Sequence, residues 1–161
     1  MRPHQIFAAM PPEHAESFFE LLSDKAAGMW MQCVHAAAVN MKARPQYMMK
    51  QPKAKQAQAV RRALARVNAN ILAEEILAIY FLECRTELLA EWLDLVGIEH
   101  EDGVLQSDEL PQPDPADLAK HVASLREKDD DPDRTLLLRA FAAQTAVDWP
   151  ALDELLATEA G

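Results

Sequence analysis

An all-α fold is predicted by three features of this sequence. Alanine and leucine are abundant, and apolar residues recur at spacings of three and four along most of the chain. Strand signals are scarce: there is no alternating segment of useful length, and no Asn-Gly or Asp-Gly turn joins two such segments. From Lys53 to Val96 the chain runs 44 residues without a Gly or Pro. Together they predict a compact bundle of six or seven helices around a central apolar helix at about 71–96, rather than a simple four-helix up-down bundle. At 161 residues the length suits a single all-helical domain. Its main bundle would cover about residues 11–96, an acidic Pro-rich loop 98–115, and further helices about 115–157.

The elements follow in order. Pro11-Pro12 opens a helix to about Leu22 that buries Phe18, Phe19 and Leu22, with Glu13 and Glu16 at its positive end. Ser23 or Asp24 can cap a second helix, from Lys25 to Lys42, which sets Met29, Trp30, Cys33, Ala37 and Met41 near one face. Pro45 and Pro52 bracket a break holding Tyr47, Met48 and Met49. Within Lys53–Val96 a bend is expected near Asn68 and Asn70, both poor mid-helix residues. Before it, Ala57, Val60, Leu64, Val67 and Ile71 step 3-4-3-4 and form a packing seam. After it, the run from Ile76 to Leu82 is apolar on every side, as a central helix would be. Gly97 supplies a stop.

Residues 98–115 hold prolines at 111, 113 and 115 and read as loop, with a turn at Glu101-Asp102-Gly103. Three short helices follow. Asp114-Pro115 and Asp131-Pro132 are cap-plus-first-turn pairs, and Asp148 with Pro150 is a looser third. Their core residues would be Leu118, Val122 and Leu125, then Leu136, Leu137, Ala140 and Phe141, then Trp149, Leu152, Leu155 and Leu156.

Charge is the least uniform property of the chain. Its formal net value is −10, yet residues 1–41 carry −2, residues 42–66 carry +8 and residues 67–161 carry −16. Half of all Lys and Arg fall within 25 consecutive residues that contain no acid. On a helix, Lys55, Arg62 and Arg66 lie opposite the apolar seam with Arg61 on the flank, and Tyr47 sits among Lys42, Arg44 and Lys50 just before them. Basic side chains on one face beside an aromatic can grip phosphates or other anions. The same block can equally pair with the acidic remainder, in one molecule or between two. Tyr47, Met48 and Met49, with Met29, Met31 and Met41, could also line an adaptable apolar docking surface.

Motifs for chemistry are few. Glu-x-x-His and His-Glu-x-x-His are absent, as are Gly-x-Ser-x-Gly, the P-loop and Gly-x-Gly-x-x-Gly. Cys33 and His35, two apart on a helix, point in nearly opposite directions and cannot share a metal. Glu83, Glu87, Glu91 and Asp94 would share one helical face, and only with His14 or His35 nearby would they suggest acid–base work. No cofactor or metal is expected. Cys33 and Cys84 read as buried free thiols in a reducing compartment. No secretory segment and no stretch of roughly 20 apolar residues is present, so a cytoplasmic protein is expected.

The function expected from these features is non-enzymatic: protein–protein interaction or self-association. Anion or nucleic-acid binding through residues 42–66 is the alternative, and a carboxylate enzyme the third.

Overall fold

The structure, a computed structural model, describes residues 1–127 and 130–160. The fold is all-α: ten α-helices and one two-stranded hairpin among the described residues. The chain divides into two compact units, one of Arg2–Cys84 and one that begins at Arg85.

The first unit contains α1 (Pro3–Ala9), α2 (Pro12–Lys25), α3 (Ala27–Met41), α4 (Pro45–Met49), α5 (Lys53–Leu64) and α6 (Asn70–Ile79). Pro3, Pro12 and Pro45 each open a helix where a missing N–H costs nothing. Two of these helices, α1 and α4, lie where the sequence suggests connecting chain; with the division of 53–96 they bring the count to ten. The α2–α3 junction falls at Ala26 (φ −138°, ψ 59°) and has no side-chain cap. The expected caps are therefore corrected: Ser23 lies inside α2, and its Oγ donates to the Glu20 carbonyl at 2.8 Å. The first-unit core is aromatic. Phe18 stacks on Tyr80 at 3.9 Å between centroids and meets Phe19 edge-on at 5.0 Å, and Phe7 and Trp30 complete the cluster. Such edge and offset contacts add to the burial of the rings themselves.

The expected bend is present. A 3-10 turn, Val67–Ala69, separates α5 from α6. Asn70 is held there: its Oδ1 accepts from the His4 backbone N–H at 3.2 Å and from His4 Nδ1 at 2.7 Å, so Nδ1 carries the proton. The turn corrects the seam. Ala57, Val60 and Leu64 are buried, but the reversal at the turn leaves Val67 69% and Ile71 83% exposed. The apolar run behaves as expected at Ile76, Leu77, Tyr80 and Phe81, all buried. It does not continue as one helix to 96, because a π-helical turn at Tyr80–Cys84 ends it.

The second unit contains α7 (Thr86–Leu95), a hairpin of β1 (His100–Glu101) and β2 (Val104–Leu105), α8 (Pro115–Arg126), α9 (Asp133–Ala143) and α10 (Pro150–Ala160). Gly97, at φ 76°, stops α7: the Ile98 N–H reaches the Leu93 carbonyl at 2.9 Å and the Gly97 N–H the Asp94 carbonyl at 3.3 Å. The expected turn carries strands after all, with Asp102 and Gly103 both at positive φ, which suits a two-residue hairpin. Asp114 caps α8 by accepting the Ala116 N–H at 2.9 Å, and Asp131 accepts the Asp133 N–H at 3.1 Å in the same two-residue geometry. At α10 the cap comes from elsewhere: Gln112 Oε1 accepts the Ala151 N–H at 3.1 Å. The Trp149 indole donates to the Leu110 carbonyl at 2.8 Å, so the Pro-rich segment is fastened to the start of α10. Leu118, Val122, Leu125, Leu136, Leu137, Ala140, Phe141, Trp149 and Leu152 are buried as expected, joined by Leu138, whereas Leu155 and Leu156 are only half-buried.

Candidate basic interaction face

The chemistry of α5 follows from its pattern. Residues spaced seven and four apart fall within a narrow sector of a helix. Accordingly Lys55 and Arg62 are exposed on α5 while Ala57, Val60, Ala63 and Leu64 are buried against the first-unit core. Arg66 is exposed too, but it lies beyond the end of α5 in extended backbone (φ −82°, ψ 146°), which corrects its expected place on the helix face. Two polar side chains fasten the helix. Gln58 Nε2 donates to the Pro12 carbonyl at 3.1 Å, and Gln56 Nε2 donates to the Met49 and Gln51 carbonyls at 3.1 and 2.8 Å. The second of these ties the end of α4 to α5.

The candidate residues divide. Arg61 is half-buried, its Nε donating to Gln58 Oε1 at 3.1 Å and its Nη1 reaching the Phe7 carbonyl at 3.5 Å; it is a structural arginine on the flank of the face. Tyr47 is 54% exposed and Met49 is exposed beside it in sequence, but Met48 is 1% exposed. Its place on the surface is thus corrected: α4 is a single helical turn whose fourth side chain packs inward. Met29 and Met31 are half-buried and Met41 is exposed, so the methionines do not form one surface. Val67 and Ile71, expected in the core, join the exposed apolar residues next to Arg66.

Among the described residues, none of the eight basic side chains at 42–66 takes part in an ion pair. The ion pairs lie in the second unit. Arg85 is their centre, with bonds to Asp133 Oδ2 at 2.6 Å, Asp131 Oδ2 at 2.8 Å and Glu87 Oε1 at 2.8 Å. The hydrogen bond to Arg85, more than any other influence, holds the Asp131 carboxyl below the usual carboxylate range, and the same bond raises the Arg85 pKa further. Arg134 pairs with Glu91 at 2.6 Å and also donates to the Leu125 carbonyl at 2.8 Å.

These pairs reassign the row of carboxylates. The π-helical turn interrupts the helix between Glu83 and Glu87, so the four do not form one face. Glu87, Glu91 and Asp94 each hold a cation or a histidine ring, and Glu83 and His35 are exposed. His100 accepts the Gly103 N–H at Nδ1 (3.1 Å), leaving its Nε2–H to face Asp94 Oδ1 at 2.7 Å; it braces the hairpin. Cys33 and Cys84 are buried and form no disulfide, and burial pushes the Cys33 thiol up to about 12. Among the described residues, no group of three or more His, Cys, Asp or Glu side chains is arranged to hold a metal ion, and no helix is long and apolar enough to cross a membrane.

Besides the basic face, the first unit has one shallow groove of about 180 Å³ between α2, α3 and the start of α5. Phe19 and Trp30 line it, with Glu16, Glu20 and Lys53 among its polar residues.

Against known proteins, the chain matches no family, no curated sequence and no solved structure.

Proposed function

We propose that this protein is a non-enzymatic interaction module that receives an acidic protein surface on the exposed face of α5. The observation that carries the reading is the state of the basic block. Eight cations fall within 25 residues, none has an ionic partner among the described residues, and Lys55 and Arg62 are exposed on α5 with Arg66 exposed just after its end. A solvated cationic face carries the repulsion of its like charges, and it gains from a partner that brings carboxylates and excludes water.

Two features favour a protein over a nucleic acid. Exposed apolar side chains flank the cations, namely Tyr47 and Met49 at one end and Val67 and Ile71 at the other, and mixed apolar–cationic surfaces suit protein contacts. Single-stranded nucleic acid calls for several stacking aromatics, yet Tyr47 is the one exposed aromatic among the described residues. Both cysteines are buried and neither forms a disulfide, which fits work in a reducing compartment such as the cytoplasm.

The test is a pair of titrations followed by fluorescence anisotropy, one with a labelled Glu/Leu-rich peptide and one with a labelled oligonucleotide. The peptide should bind, and Arg62→Glu/Arg66→Glu should weaken it by about tenfold or more, the scale of losing a few close charge contacts. An equal affinity in the variant, or preference for the oligonucleotide, overturns the reading.

A further inference from the structure

We infer that the acidic surface received by α5 belongs to a second copy of this chain, and that the segment it presents is the hairpin and the residues just after it, 101–109. The inference rests on the interaction-module reading above and names its partner.

The segment is the chemical complement of the α5 face. Glu101, Asp102, Asp108 and Glu109 are acidic and exposed, and no basic residue interrupts 101–109. Val104 and Leu105, exposed between them, match the exposed Tyr47, Met49, Val67 and Ile71 that flank the basic face. Both surfaces therefore carry the same mixture of charge and apolar area with the charge reversed.

Both are also unsatisfied within the chain. Among the described residues, none of the four carboxylates and none of the eight cations of 42–66 enters an ion pair. Two complementary surfaces that no described ion pair joins within the chain can satisfy each other between two copies of it. A two-fold pair of chains would then form the contact twice, which is the commonest closed arrangement of identical subunits.

The acidic segment is fastened at both ends. The Asp102-Gly103 turn has the positive φ angles of a tight hairpin, and His100 is held from both sides by Asp94 and the Gly103 N–H. Leu110 and Gln112, directly after the segment, are bonded to Trp149 and Ala151. A surface fixed before it binds loses little conformational freedom in binding. Two chains of charge −10 repel at a distance, but that repulsion is screened beyond about 8 Å at physiological ionic strength, so the close contacts decide.

Charge exchange tests this. The mass of the full chain in solution would be measured by light scattering for the wild type, for Arg62→Glu/Arg66→Glu, and for Glu101→Lys/Asp108→Lys/Glu109→Lys. Circular dichroism would check that each variant is folded; all five sites are exposed. The wild type is expected to dimerise near physiological salt and to dissociate near about 1 M, where charges are screened beyond roughly 3 Å. Each variant alone should be a monomer, and an equimolar mixture of the two should regain the dimer, since every contact in the mixed pair joins opposite charges. A wild type that stays monomeric at about 100 μM, far above the Kd of a specific dimer, overturns the inference, and so does a mixture that stays monomeric. If that monomer still binds the Glu/Leu peptide through Arg62 and Arg66, only the second copy fails. If it binds neither, the module reading fails with it.

Discussion

Asn68 and Asn70 show how far a residue's role exceeds its propensity. Both are poor in mid-helix, so the bend near them is legible; which one is structural is not. Asn68 is exposed, whereas Asn70 Oδ1 takes two hydrogen bonds from His4, a residue 66 positions away that is itself buried. Asn70→Ala leaves those two donors unsatisfied and should lose about 1–3 kcal/mol, with faster amide exchange in α1. Asn68→Ala should stay within about 0.5 kcal/mol of wild type. Equal effects in urea unfolding would show that α1 is not anchored there. Cys33 gives a second prediction at this scale. Its thiol is buried and its pKa is pushed up to about 12, and only the thiolate is nucleophilic. Iodoacetamide at mildly alkaline pH should leave Cys33 unlabelled in the native protein and alkylate it in denaturant, as read by peptide mass spectrometry. The exposure of Val67 and Ile71 was not legible, because a 3–4 spacing carries a seam only as far as the helix that bears it.

At the scale of elements, signals carried by neighbouring residues were readable and signals from remote ones were not. The Asp114-Pro115 start, the Asp131 device and the Gly97 stop all operate over two to five residues and stand as the sequence indicates. The α10 cap, by contrast, is Gln112, 39 residues before the N–H it accepts, and α3 stops on Lys42 at φ 56°, where nothing in the residue type announces a left-handed turn. Gly97→Ala isolates the backbone term: an added Cβ meets nothing within 4 Å, so the loss in urea unfolding should be the conformational cost alone, about 1 kcal/mol. The end of the central helix was the largest hidden feature, since Arg85 looks like one more helical residue until Asp131 and Asp133 are brought to it. Arg85→Gln should cost about 3 kcal/mol near neutral pH, because it takes the paired cation away from the buried Asp133 carboxylate and from Asp131. The sign with pH follows from Asp131, whose folded pKa is depressed. Its contribution is complete above the unfolded value of about 3.9 and is lost as pH falls through the folded value. The gap between wild type and Arg85→Gln in urea midpoint should therefore narrow below about pH 4; a gap that widens there would mean that the pair is not what stabilises this unit.

For the whole molecule, the distribution of charge was legible to the residue, and its consequence was not. A +8 block followed by −16 invites the reading that the block neutralises the rest of its own chain. The described ion pairs instead use Arg85 and Arg134, and leave 42–66 unpaired. The two cases predict opposite salt effects on stability. An internal counter-charge would be weakened by salt, because the attraction it supplies is screened as the Debye length falls from roughly 30 Å at 0.01 M to 3 Å at 1 M. A block crowded with like charges, in a chain of net −10, would be relieved by the same salt, since self-repulsion destabilises the compact state. Thermal unfolding should therefore shift upward, or not at all, between these salt concentrations. It must be recorded at dilutions where the chain is monomeric, because association would add a concentration-dependent stability of its own. In the same experiment Arg62→Glu/Arg66→Glu should unfold within a few degrees of wild type, about 1 kcal/mol or less, because it removes no described bond. A large downward shift in either arm would return the basic block to the interior electrostatics of the fold and leave the α5 face without a reason to attract a partner.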